Sequence, residues 1–137
     1  MVVAMGDEVR GDWSQLISGE PASKSNQRRI VLINGKVRVI KSAKALAYAK
    51  FFASQVEPPR EPIDGDVELG VIVWYRTRRP DLDVSLLMDL LQANHVILND
   101  RQIKICKAYH QIDRKNPRSL LRVRRLPEDF GLPSWSA

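Results

Sequence analysis

Asp81, Asp83 and Asp100 are the residues whose type and spacing best suit chemistry, all within RTRRPDLDVSLLMDLLQANHVILNDRQI. Asp81 and Asp83 stand two apart, after an apolar run and Pro80. In extended backbone, residues i and i+2 project to one side, so both carboxylates can face one point while Leu82 turns into the core. Two carboxylates held together repel unless a proton or cation lies between them. Oxygen-only ligands suit a hard cation such as Mg²⁺, with Mn²⁺ as a substitute, which also binds phosphate. The helix after Asp83 is expected to return the chain so that Asn99 and Asp100 reach the same end of the sheet, with Asp100 the third carboxylate. Such a centre hydrolyses phosphodiesters, the metal polarising the phosphate and activating water. Arg76, Arg78 and Arg79 before the carboxylates, and Arg101 and Lys104 after them, would hold a DNA backbone against an otherwise repulsive acidic pocket. A bare Asp-x-Asp also occurs at helix starts, where Asp83 would simply cap the next helix.

The elements that must position these residues can be read from pattern. A short strand is expected at Trp13–Ile17, then a polar loop, GEPASKSNQRR. RIVLINGKVRVI reads as a β-hairpin, because Asn34-Gly35 is the favoured pair for a type I′ turn. Ser42 can cap a helix to about Val56, with Ala45, Tyr48, Ala49, Phe52 and Val56 on one face. Pro58, Pro59 and Pro62 end it. VELGVIVWYR is strongly β-prone and apolar on both faces, which places it centrally in a sheet, with one face available for a subunit contact. A helix from about Val84 to Asn94 shows a stripe of Leu86, Leu87, Leu90 and Leu91 that fits core packing. Strands are expected near Ile103–Gln111 and Leu120–Leu126. The fold class is mixed α/β (α+β): one compact domain with helices against a small mixed sheet. Residues 13–126 form the domain, 1–12 a loose amino-terminal segment and 127–137 a tail.

The sequence has 137 residues, 44% hydrophobic, with a formal net charge of +6. From Lys24 to Lys50 there are eight basic residues and no acid; from Arg101 to Arg125, nine basic residues face one acid, Asp113. Such blocks attract a polyanion through counterion release, which points to nucleic acid. Lys24, Asn26, Arg28 and Arg29 are further candidates for DNA contact. No apolar run approaches the ~20 residues of a membrane span, and MVVAMGDEVR lacks the layout of a secretory signal. Cys106 is the sole cysteine. It excludes a disulfide framework within one chain, fits a cytoplasmic setting and is expected to be a small buried hydrophobe. His95 and His110 have no partner at metal or triad spacing, so surface or packing roles are expected. Asp89 is expected on the helix surface or a dimer edge, and Asn99 either beside the metal ligands or in a turn.

PDLD, a leucine-rich helix carrying MDLL and a turn into ILNDRQI together resemble the active-site core of RusA-type Holliday-junction resolvases. GEPASKSNQRR, the basic hairpin and KSAKALAYAK are similar to that family's amino-terminal segment, so the resemblance covers about Gln15 to Arg125. It implies a RusA-like fold and a homodimeric, Mg²⁺-dependent enzyme, of bacterial or phage origin, that nicks two opposed strands of a four-way DNA junction. The family's carboxylate triad falls on Asp81, Asp83 and Asp100. One departure is visible. Relatives often carry Asn after the second aspartate and a lysine one helical turn on, where this chain has Val84, Ser85, Leu86 and Leu87, and the helix is about two residues shorter. The basic group assisting phosphate binding must then come from elsewhere, with Arg79, Arg101 and Lys104 the candidates. Two other functions fit the same residues: a non-catalytic basic DNA-binding module, and a nuclease of another substrate preference such as flaps or RNA.

Overall fold

The structure is a computed structural model that describes residues 12–23 and 28–137. It forms one small mixed α+β domain. Its strands are β1 (Trp13–Ser18), β2 (Arg28–Ile33), β3 (Lys36–Lys41), β4 (Val67–Tyr75), β5 (Ile103–Ile112) and β6 (Arg118–Arg125), and its helices are α1 (Ala43–Gln55) and α2 (Ser85–Ala93). The main sheet has the order β1-β6-β4-β5, with β2 and β3 a separate two-stranded ribbon. The expected elements are all present, with ends shifted by a residue or two.

β4 is central, as its two apolar faces imply: it pairs antiparallel with β6 and parallel with β5. Its faces are unequal. Val67, Leu69, Val71, Val73 and Tyr75 are buried, whereas Glu68, Gly70, Ile72 and Trp74 are only half-buried. The buried set joins Tyr48 and Phe52 of α1 and Leu86, Leu87, Leu90 and Leu91 of α2 in a single hydrophobic cluster. Burying one such side chain contributes about 1.5–3 kcal/mol, so this helix-covered face holds the domain together. The opposite face stays open. Across it run Leu16, Leu120, Ile72 and Tyr109 in register, with the Arg118 guanidinium 4.0 Å above the Trp74 ring in the next row.

α1 begins where expected, since Ser42 accepts a hydrogen bond from the Ala45 amide. In the hairpin, Asn34 and Gly35 both take positive φ (52° and 75°), the conformation of a type I′ turn. One face of the ribbon is aliphatic and exposed: Ile30, Leu32, Val37 and Val39 keep 61–74% of their accessible surface.

The parallel pairing of β4 and β5, with α2 between them, fixes where the ends of the unit lie. Val67 pairs with Ile103, and Tyr75 with Ile112. Everything just before β5 therefore sits beside the start of β4, and everything just after β4 sits beside the end of β5.

Candidate functional site

Residues 76–84 form the loop that leaves the carboxyl end of β4, and Tyr75 organises it. Its buried hydroxyl donates to the Asp81 carbonyl (3.2 Å) and accepts from the Asp83 amide (3.4 Å). The Tyr75 ring lies 4.5 Å from that of His110, and His110 Nε2 is 2.9 Å from the Pro80 carbonyl. A carbonyl only accepts, so Nε2 must carry the proton. Burial, followed by the nearby carboxylates Asp83, Glu20 and Asp81, pushes the Tyr75 hydroxyl pKa up, so it stays protonated and able to donate. The PDLD segment is thus pinned at Pro80, Asp81 and Asp83 by two aromatic side chains at the ends of the two parallel strands.

Asp81 is exposed at a cleft of about 580 Å³ that Arg78, Leu82, His110 and Ile112 also line. A second cleft, on its other side, brings Asp81 together with Glu20, Lys44 and Arg79. Asp83 is half-buried, and its Oδ1 accepts from the Ser85 amide (3.0 Å) and the Ser85 hydroxyl (2.8 Å). It thus closes a turn into α2, close to the capping role its position also allows, while Val84 is the N-cap and makes no side-chain bond. Leu82 corrects an expectation: it is 40% exposed and lines the cleft, not the core. The loop is irregular, not extended, so the strict alternation of a strand does not apply there.

Asp100 corrects another. It does not reach the Asp81 end within the chain. Its amide donates to Gln92 near the end of α2 (2.9 Å), and Gln102, two residues on, donates to the carbonyls of Ile63 and Gly65 just before β4 (2.8 and 2.7 Å). The physical reason is the crossover. A helix between two parallel strands must carry the chain back to where the first strand began, so a residue before β5 lies a strand length, ~26 Å at 3.3 Å per residue, from one after β4. Arg101 and Lys104, both exposed, belong to the Asp100 end as well. Asn99 is a turn residue: its side chain accepts from the Arg101 amide (2.8 Å), and Gln102 Oε1 accepts from the Asn99 amide, the reciprocal pattern of a capping box.

The other candidates divide between the two ends and the ribbon. Arg76, Arg78 and Arg79 are exposed on the Asp81 loop. Arg29 is exposed on β2; the side chain of Arg28, Lys24, Asn26 and the amino-terminal segment to residue 11 lie outside the described residues. Asp89 and His95 are exposed, as expected, His95 with φ 65° just past α2. Cys106 is exposed, not buried, because β5 is an edge strand that the helices do not cover; partial desolvation still pushes its thiol pKa up.

Sequence reasoning missed three residues of this site. Tyr75 counted only as a β-strand hydrophobe, and nothing in the spacing marks its hydroxyl as the anchor of the loop. Glu20 accepts from the Arg76 amide (2.7 Å) and tethers the loop to the segment after β1, and Lys44 lines the same cleft as Asp81. Both relationships are long-range. Among the described residues, no three His, Cys, Asp or Glu side chains are grouped to hold a metal ion. No helix is long and apolar enough to cross a membrane. No protein-family model matches the chain, and no curated protein matches it.

Proposed function

We propose that the chain is a Mg²⁺-dependent endodeoxyribonuclease that nicks four-way DNA junctions as a homodimer. The observation that carries this reading is the loop after β4. It holds an exposed Asp81 and an adjacent Asp83 against buried Tyr75, with Arg78, Arg79 and Lys44 lining the clefts on either side of Asp81. An exposed carboxylate flanked by cations, with a second carboxylate two residues on, suits a substrate that is itself an anion and a reaction that a divalent cation assists.

Two carboxylates from one chain leave the set a ligand short, and the third, Asp100, projects from the opposite end of the same strand pair. A two-fold dimer resolves this, because a symmetric partner can present its far end to the near end of its mate. Asp81 and Asp83 of one protomer, with the partner subunit's Asp100, would then hold the metal. When bound, the metal supplies polarisation of the phosphate and a hydroxide at neutral pH. The Ser85 amide and hydroxyl fix the Asp83 carboxylate, and Tyr75 fixes the backbone at Asp81 and Asp83. Arg78, Arg79 and Lys44 hold substrate phosphates, filling the place left by the missing helix lysine. Two such sites per dimer match a substrate with two equivalent strands to cut.

Cleavage of a labelled four-way junction, beside linear duplex of the same sequence, with Mg²⁺ and with EDTA, tests the reading. Paired nicks on the junction, lost in EDTA, are expected. Junction binding without nicks under Mg²⁺ or Mn²⁺ would overturn it in favour of a second reading, a basic DNA-binding module. That alternative draws on the hydrogen bonds that make Asp83 a turn residue and on the distance of Asp100.

A further inference from the structure

The face of the main sheet that the helices leave bare carries both cations and flat apolar side chains. Alternation along β4 turns Glu68, Gly70, Ile72 and Trp74 towards it. The register sets Arg124 beside Glu68, Arg122 beside Gly70 and Arg118 beside Trp74, with Lys107 on the other flank of Gly70. Glu68 is shared between Lys107 (3.5 Å) and Arg124 (3.3 Å), and Asp113 takes Arg118 (2.8 Å). Arg122 is exposed and, among the described residues, pairs with no acid. The four cations outnumber the two acids, so the face is positive.

Its apolar part is a single row. Leu16, Leu120 and Ile72 lead across the sheet to Tyr109 on the edge strand, whose side chain is 56% exposed. In the next row, Asp113 and the Asn116 carbonyl (3.0 Å) hold the Arg118 guanidinium over the Trp74 ring, so a planar cation and an indole form one stack. Gly70 adds no side chain between Arg122 and Lys107, which leaves the strip between them low.

We propose that this open face binds an unpaired DNA strand. One base stacks on Tyr109 and another on the Arg118–Trp74 pair, while Arg122, Arg124 and Lys107 hold phosphates. Bases stack on aromatic rings and on guanidinium planes, and basic side chains follow the backbone between them. A duplex fits this surface poorly. Its base faces are stacked inside, so the apolar row from Leu16 to Tyr109 would meet phosphates and find nothing to bury. Gln111, at the end of the Trp74 row, also lines the Asp81 cleft, so a strand lying on the face can run on towards that cleft. The choice of DNA as the strand rests on the function proposed above; the stacking surface does not, and it requires no cleavage.

The full-length protein is titrated in EDTA into a labelled, non-self-complementary DNA strand of about 12 nucleotides, read by fluorescence anisotropy. The same strand annealed to its complement, and RNA of the same sequence, are the comparisons. The single DNA strand is expected to bind most tightly. Tyr109→Ala is expected to weaken that binding about 10-fold, and Tyr109→Phe to change it little, because the ring remains. Arg122→Ala is expected to flatten the slope of log affinity against log salt by about 0.7, the loss of one phosphate contact on a single strand. Both side chains are exposed, so urea midpoints should match that of the native chain. Duplex bound as tightly as the single strand, or single-strand affinity indifferent to Tyr109→Ala, overturns the proposal. RNA bound more tightly than DNA overturns the choice of DNA. A second copy covering the face also overturns it: the single strand then fails to bind, and Tyr109→Ala dissociates an oligomer seen by sedimentation. Junction nicking with Mg²⁺, measured on the same preparation, separates this face from the nuclease. Tyr109-dependent binding without nicking keeps the face and removes the nuclease; nicking without such binding does the reverse.

Discussion

At the carboxyl end of β4, the loop bearing Asp81 and Asp83 is irregular, open to solvent on two sides and held chiefly by Tyr75, His110 and Glu20. At the other end of the same strand pair, the turn before β5 is closed by a dense local network. The Gln102 side chain alone takes part in four hydrogen bonds, with Leu98, Asn99, Ile63 and Gly65. One end is anchored from below and left open above; the other is fastened all round, with the exposed Asp100 on its outside. A carboxylate displayed on a fastened turn, where the described residues group no three acids to hold a metal, suits delivery to another molecule. A carboxylate in a cleft with arginines suits reception.

Mixing two defective chains is the sharpest way to break this comparison. Asp81→Asn and Asp100→Asn should each abolish cleavage while retaining junction binding. If the ends complement each other across a two-fold, each mixed dimer has one doubly defective site and one intact site. Random re-association should then restore about a quarter of the wild-type nicking rate, as single nicks. Measured initial rates that stay at zero would mean that all three carboxylates serve one chain's own site, or none.

Tyr75→Phe addresses the open end alone. It removes a buried hydroxyl that bonds the backbone at Asp81 and Asp83, at a cost of about 1–2 kcal/mol in unfolding free energy. The larger effect should fall on chemistry. Loss of position by about 1 Å can cost up to 100-fold in rate, so cleavage should fall about 10–100-fold while junction affinity barely moves. Gln102→Ala addresses the closed end. It strips the amide that ties the turn to residues 63–65 and should lower stability by about 1–3 kcal/mol in urea unfolding. A Gln102→Ala chain mixed with Asp81→Asn should also rescue cleavage less well than wild-type does.

The same contrast explains what could be read from sequence. The hairpin, both helices, the central strand and the core stripe were legible because their signals are local: the Asn34-Gly35 turn, the Ser42 cap, the alternation along β4 and the leucines of α2. Asp81 and Asp83 were legible as a pair for the same reason. The position of Asp100 was not, because it depends on whether β5 runs parallel or antiparallel to β4, which no window of residues encodes. Nor was the exposure of Cys106, set by strand order. Glu20 joins the site through a hydrogen bond to Arg76 across 56 residues of sequence, Lys44 by lining the cleft of Asp81 from 37 residues away, and neither carries a motif of its own.

Asp113 offers the finest adjustment of the open end. It begins the turn after β5, where its amide donates to the Tyr75 carbonyl (2.8 Å) and its carboxylate pairs with Arg118 (2.8 Å), whose guanidinium also covers Trp74. The hydrogen bond from Arg118 holds the Asp113 carboxyl below the usual carboxylate range, helped by the Asn116 and Lys115 amides. A carboxyl lowered on folding binds its proton more tightly when unfolded, so its contribution to stability is complete above the ordinary carboxylate pKa and is lost as pH falls through the lowered one. Asp113→Asn should therefore lower the urea midpoint slightly at neutral pH, and the gap to the native chain should close in strong acid. Because the pair lies at the surface, the effect should be the smallest of this set. It should also leave Asp100-end variants untouched: the decrements of Asp113→Asn and Gln102→Ala should add, since the two residues share no partner. A clear departure from additivity would mean that the two ends are coupled through β5 itself, and the division between an open and a fastened end would have to be redrawn.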